Sequence, residues 1–142
     1  MTGRVLGIDH GDVRIGIALS DPTGFLASPL CVLDSTNAGL DKIVALIAEH
    51  EVVKIVIGLP RNMDGSYGSA TEKVRTFAEK LKTKTDVPVF EWDERMSTVS
   101  AHNALREAGL DGKQRKGVVD KVAAQIILQN YLDAQAETGL TF

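Results

Sequence analysis

The sequence predicts an α/β protein: one mixed five-stranded sheet covered by helices. Three observations carry that expectation. The first third of the chain holds three short apolar runs separated by glycine, aspartate and proline, the pattern of a strand meander. After residue 40, helix-like and strand-like periods alternate, as in parallel crossovers. The run VVKIVIGLP, 52–60, is continuously apolar and β-branched, as a strand covered on both faces reads.

The elements follow in order. RVLGID, 4–9, is an apolar strand ending at an acid, and RIGIALSD, 14–21, alternates Ile15, Ile17 and Leu19 with smaller residues. The short glycine-bearing HGDV between them predicts a hairpin. SPLCVLD, 28–34, reads as a third strand reached through Pro22, Gly24 and Pro29. LDKIVALIAEH, 40–50, spaces Leu40, Ile43, Val44 and Ile47 as a helix does. After the strand at 52–60, RNMDGSYGSA, 61–70, lacks apolar periodicity and reads as a loop, with 61–68 the most mobile internal segment. A helix from Ser69 puts Val74, Phe77, Ala78 and Leu81 on one face. VPVFEWDE, 87–94, is a fifth strand ending in acids. Ser97 or Thr98 can cap a helix that ends near Gly109, KQRKG at 113–117 reads as a basic loop, and 119–137 reads as a largely buried closing helix.

Length and composition fit a single domain with a sizeable core. Apolar residues make up 44% and charged residues 25%, an ordinary globular balance. One cysteine, Cys31, excludes an internal disulfide and a four-thiolate zinc site; its setting in PLCVL predicts a buried, inert thiol. No apolar run approaches the ~20 residues of a membrane helix, and MTGRVLGID lacks the plan of a signal peptide, so a cytoplasmic, membrane-free protein is expected. Net charge is −3, which does not announce a nucleic-acid binder. Yet residues 61–121 hold 12 of the 16 Lys and Arg against 10 Asp and Glu, so a local basic face beside acidic residues is open, as is a set of solvated helix surfaces.

Three acids stand at element ends. Asp9 closes the first strand, where an unpartnered buried carboxylate would be costly and a cation is one partner. Gly7 and Gly11 beside it let another group approach the backbone. Turn initiation by Asp9 is the alternative. Glu94 follows the fifth strand and could instead pair with Arg95; Asp120 begins an apolar helix and could instead be its cap. Together they suggest carboxylates on adjacent elements, a set suited to hard, oxygen-seeking ions such as Mg2+ or Mn2+.

Four stretches resemble one known family. GIDHGDVRIGIALSD, VIGLPRNMDGSYG, DERMST and VDKVAAQIILQNYL are similar, in order, to the motifs of the YqgF family of RNase H-like proteins, also called RuvX and described as Holliday junction resolvase-like or as pre-16S rRNA nucleases. The resemblance spans nearly the whole chain. It implies an RNase H-like fold, a five-stranded mixed sheet whose first three strands form an antiparallel meander, flanked by helices. It implies catalytic and metal-holding roles for Asp9, Glu94 and Asp120, with one or two Mg2+ or Mn2+ ions. In two respects the chain departs from the wider RuvC-type pattern: the fourth strand ends in Gly58-Leu59-Pro60 with no acid, and Lys121 and Gln125 stand where a further carboxylate could help.

The resemblance implies metal-dependent phosphodiester hydrolysis, with processing of the 5′ end of pre-16S rRNA on a pre-ribosomal particle the first expectation. Branched or single-stranded DNA cut in recombination or repair is the second. A nucleic-acid-binding ribosome maturation factor with vestigial catalysis is the third. His10, Arg14, Arg61, Asn62, Arg95, Lys113, Arg115 and Lys116 are the candidate nucleic-acid contacts, as monomer or homodimer. The actin and Hsp70 fold also carries a Gly-Ile-Asp-x-Gly hairpin, but it grips nucleotide between two such domains and this chain supplies one.

Overall fold

The computed structural model describes residues 3–60, 67–93 and 112–138, with side chains of the last segment described from 122 to 136. The described elements are β1 (Arg4–His10), β2 (Arg14–Ser20), β3 (Ala27–Asp34), α1 (Asn37–Glu49), β4 (Val52–Leu59), α2 (Ser69–Lys84), β5 (Val89–Asp93) and α3 (Gly112–Thr138). Residues 61–66 of the loop expected at 61–70, and the expected helix before Gly109, lie outside the described residues.

One sheet runs in the order β3-β2-β1-β4-β5. β1, β2 and β3 pair antiparallel as a meander, while β4 lies parallel to β1 and β5 parallel to β4. The C-terminal ends of β1, β4, β5 and β3 therefore gather at one end of the sheet, together with the start of β2. β4 lies inside the sheet between β1 and β5 and is buried at every position but Val53.

Side chains alternate between two cores. On one face Leu6, Ile8, Ile15, Ile17, Ile55, Ile57 and Leu59 pack against Leu40, Ile43 and Ile47 of α1 and Val74, Phe77 and Leu81 of α2. Each buried aliphatic side chain there is worth about 1.5–3 kcal/mol of transfer free energy. On the other face Val5, Ala18, Ala27 and Val56 meet Ala124, Ile127, Leu128, Tyr131 and Leu132 of α3, with Trp92 edge-on to Tyr131 at 5.5 Å. Small residues on the sheet side let this helix settle closely. A β-carbon on Gly7 would lie 2.8 Å from Leu128 Cβ and 3.1 Å from the Ala124 carbonyl oxygen.

Several boundaries differ from the sequence reading. β3 starts at Ala27 and tolerates Pro29 because it is an edge strand, with a register shift opposite Ile17 and Ala18 that absorbs the missing donor. α1 begins at Asn37, three residues before the expected start, and Thr36 caps it by accepting a hydrogen bond from the Gly39 amide. The segment 113–117 is no loop: α3 begins at Gly112 and runs through it. Asp120 is accordingly inside the helix, beyond its first turn, which rules out the capping role. Cys31 is half-buried at the edge of the first core rather than fully enclosed. Among the described residues, no helix is long and apolar enough to cross a membrane.

Candidate functional site

The β1–β2 hairpin builds the centre of the gathered end. Its turn closes with the Gly11 amide donating to the Arg14 carbonyl at 2.9 Å. A β-carbon on Gly11 would stand 2.7 Å from that carbonyl oxygen, so this glycine is fixed by the turn itself. Gly7 is fixed by α3. The close approaches that the two glycines permit are thus those of the protein's own backbone and helix.

Strand alternation decides where each candidate points. Asp9 shares a face with Val5 and Gly7, the face covered by α3, and is half-buried. Its register partner on β2 is Gly16, which adds no side chain. Arg14, two residues before Gly16, lies on that same face. The next α3-facing position at the end of β4 is Gly58, since Ile57 and Leu59 belong to the other core. The fourth strand thus leaves the space beside Asp9 without a side chain of its own.

Helix α3 runs antiparallel to β1. Leu128 and Ala124 lie at Gly7, while the Tyr131 hydroxyl accepts from Lys54 Nζ at 3.1 Å, beside Val5 at the strand's start. Residues 120, 124 and 128 form one i, i+4 stripe of the helix. From Ala124 back to 120 the helix rises about 6 Å. From Gly7 on to Asp9 the strand rises about 6.6 Å. The backbone at 120 therefore comes level with Asp9 on the same side of the sheet.

His10 is the next residue and faces the opposite way. Its ring sits 4.6 Å from that of Phe77, and its Nε2 lies 3.3 Å from Ser35 Oγ. Burial pushes the imidazole pKa below its ordinary value, against the opposing pull of Asp12. Asp12 is held by Lys73 at 2.9 Å. This hydrogen bond and charge lower the Asp12 carboxyl pKa.

Glu94, Arg61, Asn62 and Arg95 lie outside the described residues, as do the side chains of Lys113, Arg115, Lys116 and Asp120. The backbone places 113, 115 and 116 in the first turns of α3. Among the described residues, no three His, Cys, Asp or Glu side chains come together as a metal group. Gln125 is committed elsewhere, since its amide donates to the Ala27 carbonyl at 3.1 Å, at the far end of the sheet from Asp9.

Sequence reasoning passed over three groups. Lys54 is 7% exposed within the interior strand β4, its ammonium over the Phe90 ring at 5.3 Å, and desolvation lowers its pKa. A lone lysine inside a β-branched run was the available signal. Lys73 and Lys80 on α2 share a stripe with Thr76 and Phe77, an i, i+3, i+4, i+7 spacing that the reading of these lysines as a solvated surface overlooked.

Comparison with known proteins adds the following. A family model described as "RuvX: Holliday junction resolvase" matches residues 3–134. A protein of Desulforamulus reducens named "Putative pre-16S rRNA nuclease" is 46% identical over 136 residues, covering 94% of this chain and 99% of its own. A protein of the same name from Halothermothrix orenii is 48% identical over 134 residues, covering 93% and 96%. Among solved structures, Thermus thermophilus RuvC in complex with Holliday junction substrate aligns with a TM-score of 0.55 at 14% identity, over 96% of this chain and 97% of that one. The fowlpox virus resolvase in complex with substrate Holliday junction DNA aligns at 0.50 and 10% identity, over 99% and 100%. At such identities the likeness speaks for the fold, and with the strand order it makes this an RNase H-like sheet.

Proposed function

Because the chain belongs to the RuvX Holliday junction resolvase family, we propose that it is a nuclease, a hydrolase of phosphodiester bonds that trims the 5′ end of precursor 16S rRNA. The choice of RNA follows the names of the curated relatives, which match over nearly their full lengths. The observation that carries the reading is the position of Asp9. It puts a half-buried carboxylate at the gathered strand ends, level with backbone position 120 of α3, where β4 presents only Gly58.

Asp9, Glu94 and Asp120 are the proposed catalytic and metal-holding carboxylates. An all-oxygen donor set of this kind fits one or two Mg2+ or Mn2+ ions. Such ions, when bound, lower the pKa of a water and neutralise the leaving oxygen. Asp9 supplies the fixed point, since its strand is paired on both sides and cannot shift without breaking the sheet. Arg14 shares that face and is assigned to a phosphate next to the one being cut, through paired N–H donors. Arg61, Asn62, Arg95, Lys113, Arg115 and Lys116 are assigned to the backbone of the strand, and they would give affinity that weakens with salt. The work is placed in the cytoplasm, on a pre-ribosomal particle.

The test is Asp9→Asn, which keeps the shape and removes the charge. Cleavage of a precursor 16S rRNA fragment in Mn2+ should fall by several orders of magnitude, while the thermal melt in chelator should hold or rise. Chelator alone should stop cleavage by the wild-type protein, and added Mn2+ should restore it. Wild-type cleavage by a folded Asp9→Asn protein would remove the site. A second reading, cleavage of four-way DNA junctions, is favoured by the family description, and a junction arm in the same assay separates the two. If neither substrate is cut yet RNA binds, the chain is a binding factor with vestigial catalysis.

A further inference from the structure

On the sheet face opposite Asp9, α1 and α2 part to form an open cleft of about 440 Å3. His10 and Phe77 form its floor, the side chains of Ser35 and Asn37 one wall, and Thr76 and Lys80 of α2 the other. Its volume falls within the range of small-ligand sites, about 300–1,000 Å3. The cleft combines an aromatic floor, several neutral hydrogen-bonding groups and ammonium groups. Lys73 is tied to Asp12 at 2.9 Å, whereas Lys80 has no ion-pair partner among the described residues. Glu72 at the rim is the one carboxylate among the lining residues.

We propose that this cleft binds one phosphate-bearing nucleotide unit, its phosphate at Lys80 and its sugar or base against the hydroxyl and amide groups above His10 and Phe77. A compact ammonium is a good partner for a phosphate oxygen. The hydroxyls and the Asn37 amide can each donate or accept, as a sugar edge or a base edge requires. Consecutive residues of a strand point to opposite faces, so Asp9 and His10 deliver the two sites to the same sheet end from opposite sides. A nucleic-acid strand bent over that end would leave one nucleotide in the cleft while another lies at Asp9. The free mononucleotide and the nucleotide within a strand share this chemistry. Only the second source rests on the nuclease reading.

The experiment titrates the full chain with adenosine 5′-monophosphate, inorganic phosphate and a short single-stranded oligoribonucleotide, following amide shifts by NMR. The expected shifts centre on Ser35, Asn37 and Thr76, and Lys80→Gln weakens the nucleotide about five- to tenfold while leaving the melt unchanged. Thr76→Val, which keeps the shape and removes the hydroxyl, weakens it less. Binding of the monophosphate marks a free-nucleotide subsite; binding of the oligoribonucleotide alone marks a subsite for the substrate strand. Asp9→Asn should keep the cleft shifts, so a failure of the nuclease reading would leave this proposal standing, and the reverse. Shifts away from the cleft, equal affinity of Lys80→Gln and wild type, or inorganic phosphate binding as tightly as the monophosphate would overturn it.

Discussion

Replacing Gly7 by alanine sets two effects of opposite sign against each other. By backbone entropy alone, glycine in a strand interior costs roughly 0.5–1 kcal/mol relative to alanine, so the substitution should stabilise β1. Packing argues the other way. The new methyl would stand 2.8 Å from Leu128 Cβ and 3.1 Å from the Ala124 carbonyl oxygen. Ordinary carbon contacts are about 3.5–4.0 Å, so α3 must retreat by about 1 Å. Neither neighbour is the tip of a flexible side chain; both belong to the body of the helix. Overpacking of this kind costs about 1–3 kcal/mol. The net expectation is a loss of about 0.5–2 kcal/mol, or a few degrees in Tm for a chain of this length. The same retreat carries position 120 away from Asp9, and an error of about 1 Å in a catalytic group can cost about a hundredfold in rate. Urea denaturation gives the first quantity, and cleavage well below the melting temperature gives the second. A Gly7→Ala protein as stable as wild type, or fully active, would refute the claim that β1 and α3 are held at this separation for the site.

Three further outcomes follow from local contacts. A β-carbon on Gly39 would run into the Asp34 carbonyl, so Gly39→Ala should cost about 1–3 kcal/mol in a urea titration despite alanine's better helix propensity, and a neutral result would contradict the tight β3–α1 junction. Thr36→Ala removes the cap on the Gly39 amide and should cost about 1 kcal/mol, with hydrogen exchange rising first in the opening turn of α1. The Asp21 carboxyl is held at about 2, below 3.8, by the Thr23 hydroxyl and then by the Leu26, Phe25 and Gly24 amides. Its contribution to stability is present above about pH 3.8 and is lost as pH falls through about 2, so Asp21→Asn should show a shallower loss of Tm across that window, and parallel curves would sink the assignment.

What the sequence revealed depended on period. The β1–β2 hairpin, β4 and α2 were legible because their apolar spacing is regular and their turns carry glycine. The start of α3 was not. KQRKG has no apolar pattern, and Gly117 reads as punctuation, yet the helix runs through it and is held further along by the stripe that packs on Gly7. Asp9 could be singled out because it closes an apolar strand between two glycines, Gly7 and Gly11. That His10 faces the other side, toward Phe77, was also written in the alternation of β1. The cleft stayed hidden because Ser35, Lys73 and Lys80 come from separate elements that only the tertiary fold brings together.

The docking of α3 has a consequence for biosynthesis. Gln129 accepts from the Ala27 amide at 2.8 Å and donates to the Phe25 carbonyl at 2.9 Å, so the helix secures a β2–β3 turn made 102 residues earlier. During translation, at about 5–20 residues per second, the hairpin emerges seconds before its covering helix. In that interval Val5, Ala18 and Ala27 have nothing to pack against on one face. The nascent sheet is exposed to misassociation for that time, and position 120 reaches the level of Asp9 only when α3 folds.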